Sequence, residues 1–252
     1  LLKAAIGGGV EREEAVVRIV GVPESELAAD LRKLEERGVE LDRVELTTCL
    51  RRGELEIAIR APKAETATTA ALKAGLREFY GDRIFTETGE TIDAQIVRLL
   101  ADRTLAVAES CTGGELATRL SAPAGASAFF LGGVVAYSNL AKERLVGVDA
   151  ALIEEFGAVS EQVADALAVG AVSHFGADFG VGVTGIAGPT GGTDEKPVGM
   201  ICFSVASASG TELTTTVVIP GDRTSRRDRA TTAALHLLRR VLIAPGQPDS
   251  EL

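Results

Sequence analysis

The sequence predicts an α/β domain with a mixed sheet, preceded by a smaller α+β domain. Three observations lead to this fold class. A chain of 252 residues is long enough for two domains, each with its own core. Only 4% of the residues are aromatic and Trp is absent, so Val, Leu, Ile and Ala must form closely packed layers. At about residue 92 the pattern changes to alternating helices and buried strands, which places the domains at 1–91 and 92–252.

Apolar and β-branched runs, apolar residues at helical spacing and intervening turn residues define the elements of the first domain. We expect strands at 14–20, 45–48 and 54–60, helices at 23–36 and 65–80, a turn at 51–53 and a helix end at Gly81-Asp82. Because the chain begins with Leu1 instead of Met, we expect an excised fragment whose upstream part is missing.

The second domain contains more helices and ends in a hairpin. We expect helices at 92–102, 113–121, 139–146, 150–156, 160–174 and 222–243, and strands at 104–109, 131–137, 179–184, 198–206 and 211–219. The short turn 207–210 makes the last two strands antiparallel, so the sheet is expected to be mixed. The polar residues 246–252 predict a mobile tail.

Charge and cysteine content limit the classes of partner. The net charge of −10 and the pI of about 4.9 argue against a nucleic-acid backbone or an anionic membrane as the main partner. Cys49, Cys111 and Cys202 cannot all pair and have no metal-ligand spacing, so a reduced, cytoplasmic setting is expected. No apolar run reaches the roughly 18 residues that a membrane span needs.

Ser110 stands where the apolar strand ending at Ala108 turns into a helix. A side chain at such a junction faces unpaired backbone N–H groups and the positive end of the helix dipole, which stabilise a developing anion. Two interpretations are open at this point. Ser110 is a nucleophile, or the Ser, Thr and Gly residues of 110–114 form an ordinary helix cap and turn.

A second strand, 134–137, runs into a helix that Ser138 or Asn139 can cap, which puts Lys142 in the first helical turn. The helix dipole and desolvation should both lower the pKa of this amine, and a neutral lysine is a usable general base. The alternative is a solvated lysine beside Glu143. Because the carboxyl ends of neighbouring strands meet at one sheet edge, Ser110, Tyr137 and Lys142 are expected to share a cleft.

The segment 183–193 follows another buried strand and is unusually rich in glycine. Such a backbone lets N–H groups approach a phosphate or lets a loop close as a lid, although a plain flexible loop has the same composition. The segment lacks the lysine of a P-loop and does not fit the dinucleotide fingerprint.

Arginines are concentrated at the start of the last helix, after the plausible cap Asp222. Arg223 and Arg227 share one helix face and suit a phosphate or carboxylate, or they belong to a solvated basic face. Histidine is scarce: His174 and His236 both lie in apolar helical segments, so a Ser-His-Asp triad is not expected. A serine activated by a lysine is the economical alternative, and no residue cluster has the spacing of a metal site.

Taken together, these motifs strongly resemble the CinA C-terminal family over residues 92–243. The segments that carry the resemblance are Ala108–Gly114, Tyr137–Asn139 with Lys142, Gly147-Val148, Gly157–Ser160, Val183–Pro189 and Gly221–Arg223. The resemblance implies a three-layer sandwich with a mixed sheet. It also implies a nicotinamide-nucleotide amidase, which hydrolyses nicotinamide mononucleotide to nicotinate mononucleotide and ammonia and would serve pyridine-nucleotide salvage and NAD recycling.

Residues 10–92 are similar to the KH-type connecting domain of full-length CinA proteins, a small two-layer α+β unit. Full-length members also carry an N-terminal domain similar to molybdopterin-binding proteins, and the resemblance implies that segment 1–9 is the end of that domain. No G-x-x-G occurs in the first 92 residues and this part is acidic, so RNA binding is not expected.

The resemblance implies roles for named residues. Ser110 attacks the carboxamide, Lys142 moves the proton, and Tyr137 orients or relays. Substrate contacts, including an oxyanion site near Thr112 and Gly113, are implied for Thr112, Gly113, Gly114, Asn139, Thr184, Gly185, Gly188 and Arg223. Arg223 is expected on the phosphate, but family members often have an aliphatic residue in place of Arg226, which leaves open which arginine binds it. No cofactor or metal is implied, and the expected assembly is a homodimer.

A different class of function is also open. The cleft holds a nucleotide without hydrolysing it, and the chain is an oligomerisation or binding module of a CinA-like protein that lost its N-terminal domain. Degeneration of the serine or the lysine would favour this alternative, and here both residues are present.

Overall fold

The structure, a computed structural model, describes residues 11–243, and the chain divides into two compact units. The first unit ends at Thr91 and the second begins at Ile92. The expected upstream remnant at 1–9 and the expected tail at 246–252 both lie outside the described residues. No helix within residues 11–243 combines the length and apolar character that crossing a bilayer requires.

Four antiparallel strands and two helices form the first unit. Its elements are β1 (Arg12–Val20), α1 (Glu24–Glu36), β2 (Glu45–Arg51), β3 (Glu54–Pro62), α2 (Thr66–Tyr80) and β4 (Ile84–Thr86). The strand order is β2-β3-β1-β4. Alternate residues of β1 and β3 point into a single core, where they meet the apolar faces of both helices. This is the predicted two-layer α+β arrangement, while its KH-type label stays a prediction from the sequence.

Two features of this unit differ from the expected elements. The strand β2 continues to Arg51, because Arg51 pairs with Glu54 across a tight turn in which Arg52 and Gly53 both have positive φ. The strand β4 was not expected. It has three residues and is held by pairing with β1, so it carries no periodic signal of its own.

A five-stranded sheet forms the centre of the second unit. Its elements are α3 (Ile92–Leu99), β5 (Leu105–Glu109), α4 (Glu115–Ser121), β6 (Phe130–Val135), α5 (Asn139–Val146), α6 (Ala150–Phe156), α7 (Glu161–Phe175), β7 (Phe179–Gly185), β8 (Met200–Ser207), β9 (Gly210–Val218) and α8 (Arg223–Ile243). The strand order is β6-β5-β7-β8-β9, with the first three strands parallel and the last two antiparallel to their neighbours. The predicted mixed sheet is therefore confirmed.

Helices cover both faces of this sheet, which makes three layers. The helices α4 and α8 lie on one face, with α3 packed on α8, and α7 covers the other face together with α5 and α6. Two glycines of β7 set the distance to α7. A Cβ at Gly180 would lie 2.2 Å from the Ala168 carbonyl oxygen, and one at Gly182 would lie 2.1 Å from that of Ala164. The backbone of α7 therefore rests directly on β7.

The parallel strands end side by side. Glu109, the last residue of β5, is level with Val135 at the end of β6 and with Val183 near the end of β7. The chain segments that follow these three strands consequently start from one edge of the sheet, as expected for a ligand site in an α/β fold.

Candidate active site

Ser110 and Lys142 meet at this sheet edge. The Lys142 Nζ lies 3.0 Å from the Ser110 Oγ and 3.2 Å from the Tyr137 carbonyl oxygen. Both side chains are buried, with 7% of Ser110 and 1% of Lys142 exposed. The N–H of Ser110 donates to the Val183 carbonyl at 2.9 Å, so the serine is fixed by β7 as well as by its own strand.

The helix α5 delivers the lysine from its first turn. Ser138 is the N-cap and accepts a hydrogen bond from the Ala141 N–H at 3.1 Å, while the Lys142 N–H donates to the Ser138 carbonyl. Burial lowers the pKa of Lys142 below its ordinary value of 10.5, because the charged ammonium loses hydration. Within the described residues no carboxylate pairs with this amine. The geometry thus favours a neutral amine that can accept a proton from Ser110.

The carboxylate of Glu109 occupies the N-terminus of α4. The sequence predicts that this helix end stabilises an anion that develops beside Ser110. The Glu109 carboxylate is 1% exposed and accepts hydrogen bonds from the N–H groups of Gly114, Leu116 and Ala117 at 2.8–3.1 Å. Sequence reasoning missed this role. The available signal was an acidic residue at the end of an otherwise apolar strand, directly before a helix start.

The turn from Cys111 to Gly114 is shaped by internal contacts. The Gly113 N–H donates to the Ser110 carbonyl at 3.1 Å, which takes it away from a substrate oxyanion. Gly113 and Gly114 have positive φ values of 61° and 95°, which explains why the helix starts at Glu115 instead of at 113. Thr112 is fully buried and its hydroxyl has no hydrogen-bond partner among the described residues.

Arg227 holds this turn from α8. Its Nη2 donates to the Thr112 carbonyl at 2.7 Å and lies 2.9 Å from the Glu115 carboxylate. A Cβ at Gly113 would lie 3.0 Å from the same nitrogen, so glycine leaves room for the guanidinium. The predicted substrate residues Thr112, Gly113 and Gly114 therefore shape the turn that follows Ser110. They do not line the cavity that opens beside Ser110.

A cavity of about 190 Å³ opens next to Ser110 and Lys142. Its lining residues are Ser110, Cys111, Tyr137, Asn139, Lys142, Ala158, Val159, Thr184, Gly185, Ala187 and Arg223. Seven of these are predicted site residues. Cys111, Ala158, Val159 and Ala187 lie in the family segments 108–114, 157–160 and 183–189 but were given no site role, since small side chains carry little chemical signal of their own.

Tyr137 lies at the mouth of the cavity, with 57% of the residue exposed. Its hydroxyl accepts a hydrogen bond from the Arg223 Nη2 at 2.9 Å, while its backbone carbonyl contacts Lys142. The contact to the lysine is thus made by the main chain of Tyr137, and the phenol that was expected to relay protons points to an arginine.

The arginines of α8 have separate partners. Arg223 lines the cavity and donates to the Gly188 carbonyl at 2.8 Å as well as to Tyr137. Arg226 instead donates to the carbonyls of Ile219 and Ala187, at 3.1 and 3.2 Å, and so holds the start of the glycine-rich loop. Arg227 holds the turn after Ser110, so among Arg223, Arg226 and Arg227 it is Arg223 that lines the cavity.

The glycines after β7 allow close packing inside the protein. A Cβ at Gly185 would lie 2.8 Å from the Met200 carbonyl oxygen, and one at Gly188 would lie 2.5 Å from Val198 Cγ1. Thr184 is buried, and its hydroxyl donates to the Ala158 carbonyl at 2.7 Å. Thr184 therefore supports the opposite wall of the cavity in addition to lining it.

A cysteine nucleophile and a metal ion are the two other kinds of chemistry to compare with this site. Burial raises the pKa of the Cys111 thiol to about 12, so it stays protonated at neutral pH and is a poor nucleophile. Within residues 11–243 no group of three His, Cys, Asp or Glu side chains is placed to hold a metal ion.

Comparison with known proteins gives one consistent family. The family model of the CinA C-terminal domain matches residues 89–242. A CinA-like protein of Mycolicibacterium vanbaalenii is 54% identical over 245 residues, which cover 97% of this chain and 58% of the relative. A CinA-like protein of Mycobacterium tuberculosis is 49% identical over 245 residues, with 97% and 57% covered. The chain thus spans somewhat over half the length of these relatives.

Solved structures of CinA proteins share the fold over about three fifths of the chain. The competence damage-inducible protein A of Klebsiella pneumoniae superposes with a TM-score of 0.59 at 34% identity, covering 62% of this chain and 97% of that one. The competence/damage inducible protein of Agrobacterium tumefaciens gives a TM-score of 0.57 at 38% identity, with 61% and 96% covered.

The buried lysine predicts an unusual effect on stability. Replacement of Lys142 by Met should raise the free energy of unfolding at neutral pH, by about 1.4 kcal/mol for each unit by which burial lowers the lysine pKa, because an apolar side chain has no charge to desolvate. The unfolded chain holds the lysine proton up to about pH 10.5, whereas the folded chain releases it earlier. The folded parent therefore gains stability as the pH rises through the folded pKa, and the difference from the variant should shrink towards pH 10.5.

Urea unfolding of both proteins at a series of pH values measures this difference. The exposed Lys63, replaced by Met, is the control and should change the free energy by less than about 0.5 kcal/mol. A variant at Lys142 that is less stable than the parent by the same amount at every pH would mean that the lysine is a structural cation.

Proposed function

This chain belongs to the CinA family, and we propose that it is a nicotinamide-nucleotide amidase that hydrolyses nicotinamide mononucleotide to nicotinate mononucleotide and ammonia. One observation carries the proposal: the 3.0 Å contact between the buried Lys142 amine and the Ser110 hydroxyl beside a cavity. A serine nucleophile with an adjacent base is suited to acyl transfer from an amide.

The first half of the reaction forms an acyl-enzyme. The neutral Lys142 amine accepts the hydroxyl proton while the Ser110 Oγ attacks the carboxamide carbon, which gives a tetrahedral intermediate. The protonated lysine then donates that proton to the carboxamide nitrogen. The C–N bond breaks, ammonia leaves, and the nicotinoyl group remains as an ester on Ser110.

The second half regenerates the serine. Lys142 accepts a proton from a water molecule, which attacks the ester carbon, and the same proton returns to the Ser110 Oγ as the ester bond breaks. The Tyr137 carbonyl, 3.2 Å from the amine, orients it throughout and stabilises its protonated form in each tetrahedral intermediate. The lowered pKa of Lys142 increases the fraction of the base that is neutral.

The oxyanion requires two donors close to the nucleophile. Because the Gly113 N–H is occupied by the Ser110 carbonyl and the first amides of α4 by Glu109, we assign one donor to the N–H group of Cys111, which follows Ser110 directly and lines the cavity. The residue after the nucleophile supplies such a donor in serine hydrolases of the α/β-hydrolase class.

The substrate is proposed to enter with its ring first. The small apolar residues Ala158, Val159 and Ala187 offer a wall for the pyridine ring, and Asn139 offers hydrogen bonds to the ribose. Arg223, at the mouth, supplies the positive charge for the phosphate, which would replace its bonds to Gly188 and Tyr137. A homodimer stays a prediction from the family resemblance.

Release of ammonia from nicotinamide mononucleotide tests the proposal. Ser110→Ala and Lys142→Met should each lower kcat by about 10³-fold or more, since nucleophile and base act as a unit. Ser121→Ala, on the exposed end of α4, and Lys63→Met are matched controls that should keep full activity. Circular dichroism confirms that each variant is folded.

Two results would contradict the proposal in different ways. No ammonia from the folded parent at saturating substrate would reject the amidase, and calorimetric binding of the mononucleotide without turnover would then support the non-catalytic module. Activity that survives in Lys142→Met would retain the amidase and reject the lysine as its base.

The phosphate contact is tested by Arg223→Gln. Loss of a charge-assisted contact should raise KM for nicotinamide mononucleotide by about tenfold or more, while activity on the phosphate-free nicotinamide riboside stays the same. Arg229→Gln is a control on the same helix, because Arg229 bonds to the Pro220 carbonyl. Equal effects of Arg223→Gln on both substrates would remove the phosphate role.

A further inference from the structure

The loop that joins α6 to α7 forms one wall of the cavity through Ala158 and Val159. Four consecutive carbonyls of this loop accept hydrogen bonds from side chains. The donors are Lys196 Nζ to Phe156 at 2.5 Å, Ser160 Oγ to Gly157 at 3.0 Å, Thr184 Oγ1 to Ala158 at 2.7 Å and Lys196 Nζ again to Val159 at 2.8 Å. The conformation of this wall therefore depends on three side chains, of which Lys196 makes two bonds.

Lys196 reaches the wall from the glycine-rich loop between β7 and β8. A local turn presents it: the Thr193 N–H donates to the Lys196 carbonyl at 2.9 Å, and the Lys196 N–H donates to the Thr193 hydroxyl at 3.0 Å. The side chain then extends until its Nζ lies between the carbonyl oxygens of residues 156 and 159. It is part-buried there and absent from the cavity lining.

The surroundings of the ammonium suit a fixed cation. Phe156 is the last residue of α6, and the carbonyl end of a helix attracts positive charge. Gly157 has a φ of +76°, and a Cβ there would lie 3.0 Å from the Lys196 Nζ. The loop thus combines a glycine that admits the lysine with two carbonyls that bind it.

We propose that Lys196 is a positioning residue that holds the 156–160 wall in its binding conformation and so sets the affinity for the substrate ring. This inference rests on the proposed amidase function. Removal of the ammonium leaves two carbonyls without their donor and frees both ends of the wall. The Ser110–Lys142 contact comes from β5 and α5 and does not involve this loop, so the chemical step should change little.

Steady-state kinetics separate positioning from chemistry. Lys196→Met should raise KM for nicotinamide mononucleotide about tenfold and leave kcat within about twofold of the parent. Lys196→Arg keeps a donor and a charge and should recover most of the affinity, and Lys63→Met should match the parent. A fall in kcat at unchanged KM would overturn the proposal. If Lys196→Met does not fold, Lys196→Gln takes its place.

Hydrogen–deuterium exchange gives a readout that needs no activity. In Lys196→Met the Gly157 amide, which donates to the Ile153 carbonyl at 2.9 Å, should exchange about tenfold faster than in the parent, while the amides of 110–117 stay unchanged. Unchanged exchange at Gly157 would overturn the positioning role even if KM rises. A parent that releases no ammonia would reject the amidase, and Lys196 would then be judged by exchange and by calorimetric affinity for the mononucleotide.

Discussion

A lysine amine buried against a serine hydroxyl is the interaction on which the other features of this site depend. An ammonium group without hydration and without a paired carboxylate is energetically costly, by several kcal/mol for a fully buried charge. The cost falls when the amine is neutral, which is the form that the proposed reaction requires as a base for Ser110. Burial of Lys142 therefore lowers its pKa, and the lowered pKa favours the neutral amine that the proposed reaction needs beside Ser110.

The fold keeps the two side chains together by fixing main chain on both sides of them. The parallel strands β5, β6 and β7 bring Ser110 and the start of α5 to one edge. Charged side chains then bind backbone groups: Glu109 the first amides of α4, Arg227 the Thr112 carbonyl, and Lys196 the carbonyls of the opposite wall. These charged side chains thus fix the backbone of loops at the sheet edge, where regular secondary structure ends.

Much of this arrangement follows from local sequence signals. The N-cap at Ser138, the helix that starts beside it and the buried strand before Ser110 are each encoded within a few residues, and parallel pairing then predicts that serine and lysine meet. The remaining contacts are not local. The bonds from Lys196 and Thr184 to the 156–159 loop span 26 to 40 residues, and no periodicity or spacing specifies them. The direction of the Tyr137 phenol likewise depends on Arg223, 86 residues away.

The protonation of Lys142 in the folded protein is the most direct test of this account. A ¹³C NMR titration of labelled lysine side chains, with the Lys142 signal assigned by its absence in Lys142→Met, measures it. The account predicts a midpoint below 10.5, the ordinary lysine value. A Lys142 midpoint at or above 10.5 would contradict the account, because the amine would then be a permanent cation and no base for Ser110.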